Sequence, residues 1–170
     1  MTDEPQKEDK EEIPPVGFDE LGLIEALVDS TREMGFTHAT SIQANSIPPA
    51  IEGRDILGAA RTGSGKTAAF TLPILQQIVE KGVAGEPNQP FALVLSPTRE
   101  LALQIEETFV ELSSNLEYVY FQSLVGGMPY EPQIAGLNEG PQVVIATPGR
   151  LLDHAEKKTV DLSTVKMLVL

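Results

Sequence analysis

The chain has 170 residues, enough for one globular domain and too few for a two-domain enzyme. Twelve Lys+Arg stand against 25 Asp+Glu, a formal net charge of −13, which excludes nucleic-acid binding by bulk attraction and demands that any such contact be local and directed. Zero cysteines exclude disulfides, iron–sulfur clusters and thiolate zinc sites, and two isolated histidines, His38 and His154, argue against an imidazole metal site.

Residues 1–15 hold six acids, two lysines and three prolines with almost nothing to bury, which predicts a disordered acidic tail. That start lacks the basic and apolar runs of a secretory signal, and no stretch approaches the roughly 20 apolar residues of a membrane span, so the expected location is cytoplasmic. In 16–170, ten basic and nineteen acidic residues remain, a net −9, so the acidity belongs to the folded part too. Leu21, Ile24, Leu27 and Val28 recur at helical spacing and predict a helix from Asp19 to Met34, closed by Gly35. A short helix is expected over 42–51, a buried strand over DILGAA (55–60), and a helix over 67–81 after the glycine-rich TGSGK. FALVLS (91–96) reads as a strand covered on both faces, followed by a helix carrying Leu101, Ile105, Phe109 and Leu112. Strands at 118–125, 142–147 and 166–170 then alternate with helices at 130–137 and 148–156. This alternation predicts an α/β fold with a mostly parallel sheet, helices on both faces, and ligands at the carboxyl ends of the strands.

The strongest local signal is AARTGSGKT, residues 59–67, lying between an expected strand and an expected helix. Glycines at 63 and 65 let the backbone wrap closely around oxyanions, so that N–H groups and the positive end of a helix dipole converge on phosphate. Lys66 is placed to neutralise β and γ phosphates, and Thr67 to offer its hydroxyl to Mg²⁺. The plainer alternative is a Gly/Ser turn followed by a helix whose lysine happens to come first.

Ala60 occupies the first loop position, where the generic phosphate loop has glycine. With that variant, Ala60 to Thr67 resembles the DEAD-box ATP-dependent RNA helicases, whose first RecA-like domain carries this loop. GFTHATSIQ (35–43) is similar to that family's Q motif, with Phe18 at the expected spacing upstream and Ala39 where proline is common. PTRELA (97–102), the pair Gly126-Gly127 and TPGR (147–150) resemble three further motifs in the family's order.

The resemblance implies a C-terminally truncated RecA-like P-loop domain over 16–170, with its Q motif in 16–44 and its phosphate loop at 60–67. It implies ATP held by Ala60, Arg61, Thr62, Gly63, Ser64, Gly65, Lys66 and Thr67, with Lys66 and Thr67 catalytic and Thr67 on Mg²⁺. Gln43 would select adenine, its amide accepting and donating at the base edge, and Phe18 would stack on it. By themselves, Gln43 reads as an exposed helix residue and Phe18 as a staple onto the next helix. RNA would be held through its backbone by Pro97, Thr98, Arg99, Gly126, Gly127, Thr147, Pro148, Gly149 and Arg150; read locally, Thr98 and Thr147 are N-caps and Pro148 a first-turn proline. His38 and His154 match no motif and are expected to be solvated or locally hydrogen-bonded.

The family places Asp-Glu-Ala-Asp directly after the strand that ends at Leu170. The intact parent is therefore expected to be an ATP-dependent RNA helicase using ATP, Mg²⁺, RNA and a second RecA-like domain, and these 170 residues alone to be inactive beyond a trace. The alternatives are a non-catalytic nucleotide- or RNA-binding or interaction module and, more weakly, an unrelated P-loop kinase or GTPase.

Overall fold

Four short strands form the centre: β1 (Ala92–Leu95), β2 (Phe121–Leu124), β3 (Val143–Ala146) and β4 (Met167–Val169). The computed structural model describes residues 14–170, so most of the expected acidic tail lies outside the described residues. The strands pair in the order β2-β3-β1-β4, every pair parallel. Among the described residues six α-helices accompany them: α1 (Glu25–Glu33), α2 (Ser41–Ile51), α3 (Lys66–Glu80), α4 (Arg99–Leu112), α5 (Tyr130–Asn138) and α6 (Pro148–Glu156).

Side chains of a strand alternate between its two faces, and this alternation sorts the layers. Ala92, Val94, Val143 and Ile145 point into a core shared with Leu27 of α1, Ile47 of α2, Leu72 and Leu75 of α3, and Ile105 and Phe109 of α4. Their neighbours Leu93, Val144 and Ala146 point the other way, against Leu137 of α5 and Leu151 of α6. Helices therefore cover both faces, which is why β1, β3 and β4 read as continuous apolar runs; β2 at the sheet edge carries Gln122 and Ser123. Phe109 anchors the larger core, fully buried and 5.3 Å from the Phe121 ring and 6.5 Å from Phe70. Truncating such a ring to alanine costs about 3–5 kcal/mol.

Leu95 and Leu124 both lie opposite Ala146, so β1, β2 and β3 end level. The loops at 96–98, 125–129 and 147 consequently leave from one edge of the sheet.

Three expectations are corrected. The helix expected over 19–34 divides into a 3-10 turn at Phe18–Glu20 and α1, separated by a turn through Gly22. Leu101 lies on the exposed side of α4, and Ala102 takes the inward position. The strand expected over 55–60 carries no regular secondary structure and pairs with no strand, with Leu57 fully exposed. An apolar run becomes a strand only where a neighbouring strand supplies its ladder, and among the described residues none lies beside it.

Candidate functional site

The glycine-rich loop enters α3 through Gly65, whose φ of 84° is left-handed, and Gly63 has φ 78°. Both values favour glycine over residues bearing a Cβ. Lys66 reaches back across the turn, donating from Nζ to the carbonyl of Ala60 at 2.8 Å. Ser64 Oγ is buried with no hydrogen-bond partner, a polar atom whose desolvation is not offset within the described residues. Arg61 and Thr62 are exposed, while Thr67 is half-buried in the first turn of α3.

Backbone amides of the loop, an unpartnered hydroxyl and the Lys66 ammonium fit a polyphosphate. No group of three or more His, Cys, Asp or Glu able to hold a metal ion occurs among the described residues. A cation here would rest on the Thr67 hydroxyl together with phosphate oxygens and water, a set that suits Mg²⁺.

Gln43 is buried rather than exposed. Its Oε1 accepts from the amide of Thr40 at 2.9 Å, closing the start of α2, and its Nε2 donates to the carbonyl of Gly65 at 3.1 Å. One amide side chain thus joins the Q-motif segment to the phosphate loop, leaving one N–H and one lone pair for a further partner.

Phe18, expected to stack on a base, sits inside the fold. It is 3% exposed, part of the core, and lies against Phe36 with ring centroids 6.2 Å apart. Phe36 is the half-buried ring, seven positions before Gln43, and Phe18 supports it from behind.

At the level strand ends, Thr98 caps α4 by accepting from the Leu101 amide at 3.2 Å, and Pro97, Thr98 and Arg99 are exposed. Thr147 donates its amide to the Leu124 carbonyl at 3.0 Å, tying the start of α6 to the end of β2; Pro148 and Gly149 follow, exposed. Gly126 and Gly127 lie between, also exposed, and a Cβ built at Gly127 would sit 3.3 Å from Arg99 Nη1. Arg150 donates from Nη1 to the carbonyl of Met128 at 2.9 Å. The structure therefore brings Arg99, Gly127 and Arg150, 51 residues apart in sequence at most, around one loop.

His154 is fully buried, which corrects the expectation of a solvated residue, though its bonds within the fold agree with the hydrogen-bonded alternative. Burial, reinforced by Arg150 and Lys157, lowers its pKa below the ordinary imidazole value, against an opposing contribution from Asp153.

A parallel sheet covered by helices on both faces, with a glycine-rich loop opening one helix and further loops gathered at the strand ends, defines an α/β domain of the RecA-like class. The chain belongs to the DEAD/DEAH box helicase family, whose profile matches residues 40–170. Among curated relatives, an ATP-dependent rRNA helicase rrp3 of Neosartorya fischeri is 48% identical over 157 residues, covering 92% of this chain and 32% of the relative. An ATP-dependent RNA helicase DeaD of Escherichia coli K12 is 45% identical over 153 residues, covering 90% and 24%. The crystal structure of the RNA-helicase Prp28 from Chaetomium thermophilum bound to ADP superposes with a TM-score of 0.82 at 40% identity, over 92% of this chain and 38% of that one. A hypothetical ATP-dependent RNA helicase from Sulfolobus tokodaii gives a TM-score of 0.74 at 36% identity, over 86% and 40%. The chain spans about a third or less of the curated relatives' length. No helix among the described residues is long and apolar enough to cross a membrane.

Proposed function

We propose that these residues form the nucleotide-binding portion of a cytoplasmic RNA-dependent ATPase that locally separates RNA duplexes together with a second RecA-like domain of the parent protein. One contact carries the reading: the Gln43 amide rests on the Gly65 carbonyl, so the residue suited to an adenine edge touches the loop suited to a triphosphate. In this reading Phe36 supplies the stacking face and Phe18 its support. Lys66 exchanges the Ala60 carbonyl for β and γ phosphate oxygens, while backbone amides from Thr62 to Thr67 hold the remaining charge. Bound magnesium neutralises charge developing on the transferred phosphoryl group, and Thr67 keeps the ion in place.

RNA lies across the strand-end edge, held at its phosphates by Arg99, Arg150, the Gly126-Gly127 backbone and the helix starts at Thr98 and Thr147. Such contacts read no sequence, consistent with a small cationic track on a chain of net charge −13. The relatives named as ATP-dependent RNA helicases support this reading.

RNA-stimulated ATP hydrolysis by the full-length protein is the test. Turnover should rise on adding RNA and vanish in Lys66→Ala; turnover indifferent to RNA would remove the RNA half of the proposal, and absence of ATP binding would remove all of it.

A further inference from the structure

Behind the glycine pair lies a polar cluster that the nucleotide loop does not use. His154 of α6 is stacked against Tyr130 of α5, ring centroids 4.3 Å apart and planes 9° from parallel. Its Nε2 lies 3.1 Å from Gln133 Oε1, and Gln133 donates from Nε2 to the carbonyl of Val125 at 3.0 Å, the residue just before Gly126. A carbonyl only accepts, so this second bond fixes the Gln133 amide and turns its oxygen toward the imidazole. That oxygen also only accepts, and Nε2 of His154 therefore carries the ring proton. Thr159 Oγ1 lies 2.7 Å from Nδ1 and 3.0 Å from the His154 carbonyl; its single proton, turned to the nearer Nδ1, leaves a neutral imidazole with both nitrogens satisfied.

The far end of the loop is tied to the same cluster. Arg150, whose Nη1 holds the Met128 carbonyl, has its guanidinium 5.6 Å from the Tyr130 ring centroid, and Lys157 Nζ lies 4.0 Å from it. The carbonyls of Val125 and Met128 bracket Gly126 and Gly127, two residues with no side chain to restrain them. Unheld, this pair would lose more backbone freedom on gripping RNA than any other residues could.

Resting on the RNA reading above, we propose that His154 is a positioning residue for RNA-backbone binding: through Gln133 and Tyr130 it holds both ends of loop 125–128 in one shape before RNA arrives. It touches no RNA itself. A histidine serving the fold alone would, when changed, weaken every ligand or none; a positioning residue changes RNA affinity and leaves nucleotide affinity alone.

The test uses the full-length protein, fluorescence anisotropy of a labelled oligouridylate and, separately, a fluorescent ATP analogue. His154→Leu should weaken oligouridylate binding about tenfold with nucleotide affinity unchanged, while His154→Gln, whose amide donates to Gln133, should recover most of the loss. Nitrogen-15 spectra of wild type should place the proton on Nε2 and keep it there when oligouridylate is added, because the cluster is set beforehand. Equal oligouridylate affinity in wild type and folded His154→Leu overturns the positioning role and leaves the proposed function standing; wild type that binds no oligouridylate overturns both. Should His154→Leu fail to fold, wild-type spectra decide, and a ring proton found on Nδ1 instead of Nε2 overturns the proposal.

Discussion

The side-chain amide of Gln43 donates to the backbone carbonyl of Gly65 across 3.1 Å, and a Cβ at Gly65 would collide with that same nitrogen. The two residues are 22 positions apart, so α2 and the phosphate loop are fitted to each other rather than merely adjacent. Gln43→Ala removes both this bond and the one that closes the start of α2. It should destabilise the domain by about 1–2 kcal/mol and weaken ATP. Because the loop itself loosens, GTP should weaken as well, though less than ATP. Chemical denaturation and calorimetry with both nucleotides check this, and unchanged stability would mean that the contact contributes nothing.

Gly63 and Gly65 share a left-handed φ but not their surroundings. Nothing lies within 4 Å of a Cβ built at Gly63, so Gly63→Ala meets backbone strain alone, about 1–2 kcal/mol. Gly65→Ala adds the collision with Gln43, which must leave its buried position. Thermal unfolding should therefore rank Gly65→Ala below Gly63→Ala, and only the former should resemble Gln43→Ala. Equal melting temperatures for the two would contradict the contact.

Lys66 is exposed, and its one side-chain bond in the described fold is to Ala60. Lys66→Ala should leave the melting temperature within about 2 °C of wild type while lowering triphosphate affinity at least about a hundredfold. A fluorescent ATP analogue measures the second. Large destabilisation together with retained binding would place the phosphate elsewhere.

The layers of the fold were legible because β1, β3 and β4 are apolar runs flanked by turn residues, and because α4 announces itself through its capping Thr98 and α6 through its first-turn Pro148. Residues 55–60 misled for a physical reason: apolar composition reports a wish to be buried, whereas a strand also needs a neighbour's hydrogen bonds. The candidate site was legible as a set of motifs but not as a set of contacts. Spacing could not show that Phe18 is buried against a half-buried Phe36, since both belong to the same local pattern. Nor could it show Gln43 as buried, because a glutamine on a short helix is ordinarily solvated. His154 and Gln133 are 21 residues apart on different helices, and only packing brings them together.

The buried imidazole gives stability a definite pH slope. An unfolded histidine titrates near 6.5, whereas His154 in the fold is held lower by burial and by Arg150 and Lys157, with Asp153 opposing; Tyr130 is the titratable side chain facing it from α5. Below pH about 6.5 the unfolded state takes up a proton that the folded state still refuses, so stability is full above that pH and falls as the solution is acidified. His154→Gln should lack this component, so that the difference between wild type and variant narrows as the pH falls below about 6.5. Parallel urea titrations measure it, and a pH-independent difference would show that His154 is not held neutral.

Arg99 faces Gly127 at the strand-end edge and has no acidic partner within ion-pair distance among the described residues; the ion pairs found there are Arg32–Asp29 and Arg54–Glu52. Its charge is therefore available for a phosphate. Arg99→Ala in the full-length protein should weaken RNA of every sequence by a similar factor and reduce the slope of log affinity against log salt by about 1, the signature of one lost phosphate contact. Arg150→Ala should do more, because it also releases the Met128 carbonyl and with it the loop beside Arg99. If the loss for Arg99→Ala depended strongly on base composition, Arg99 would be reading base edges, and the backbone track drawn through Thr98, Gly127 and Thr147 would have to be abandoned.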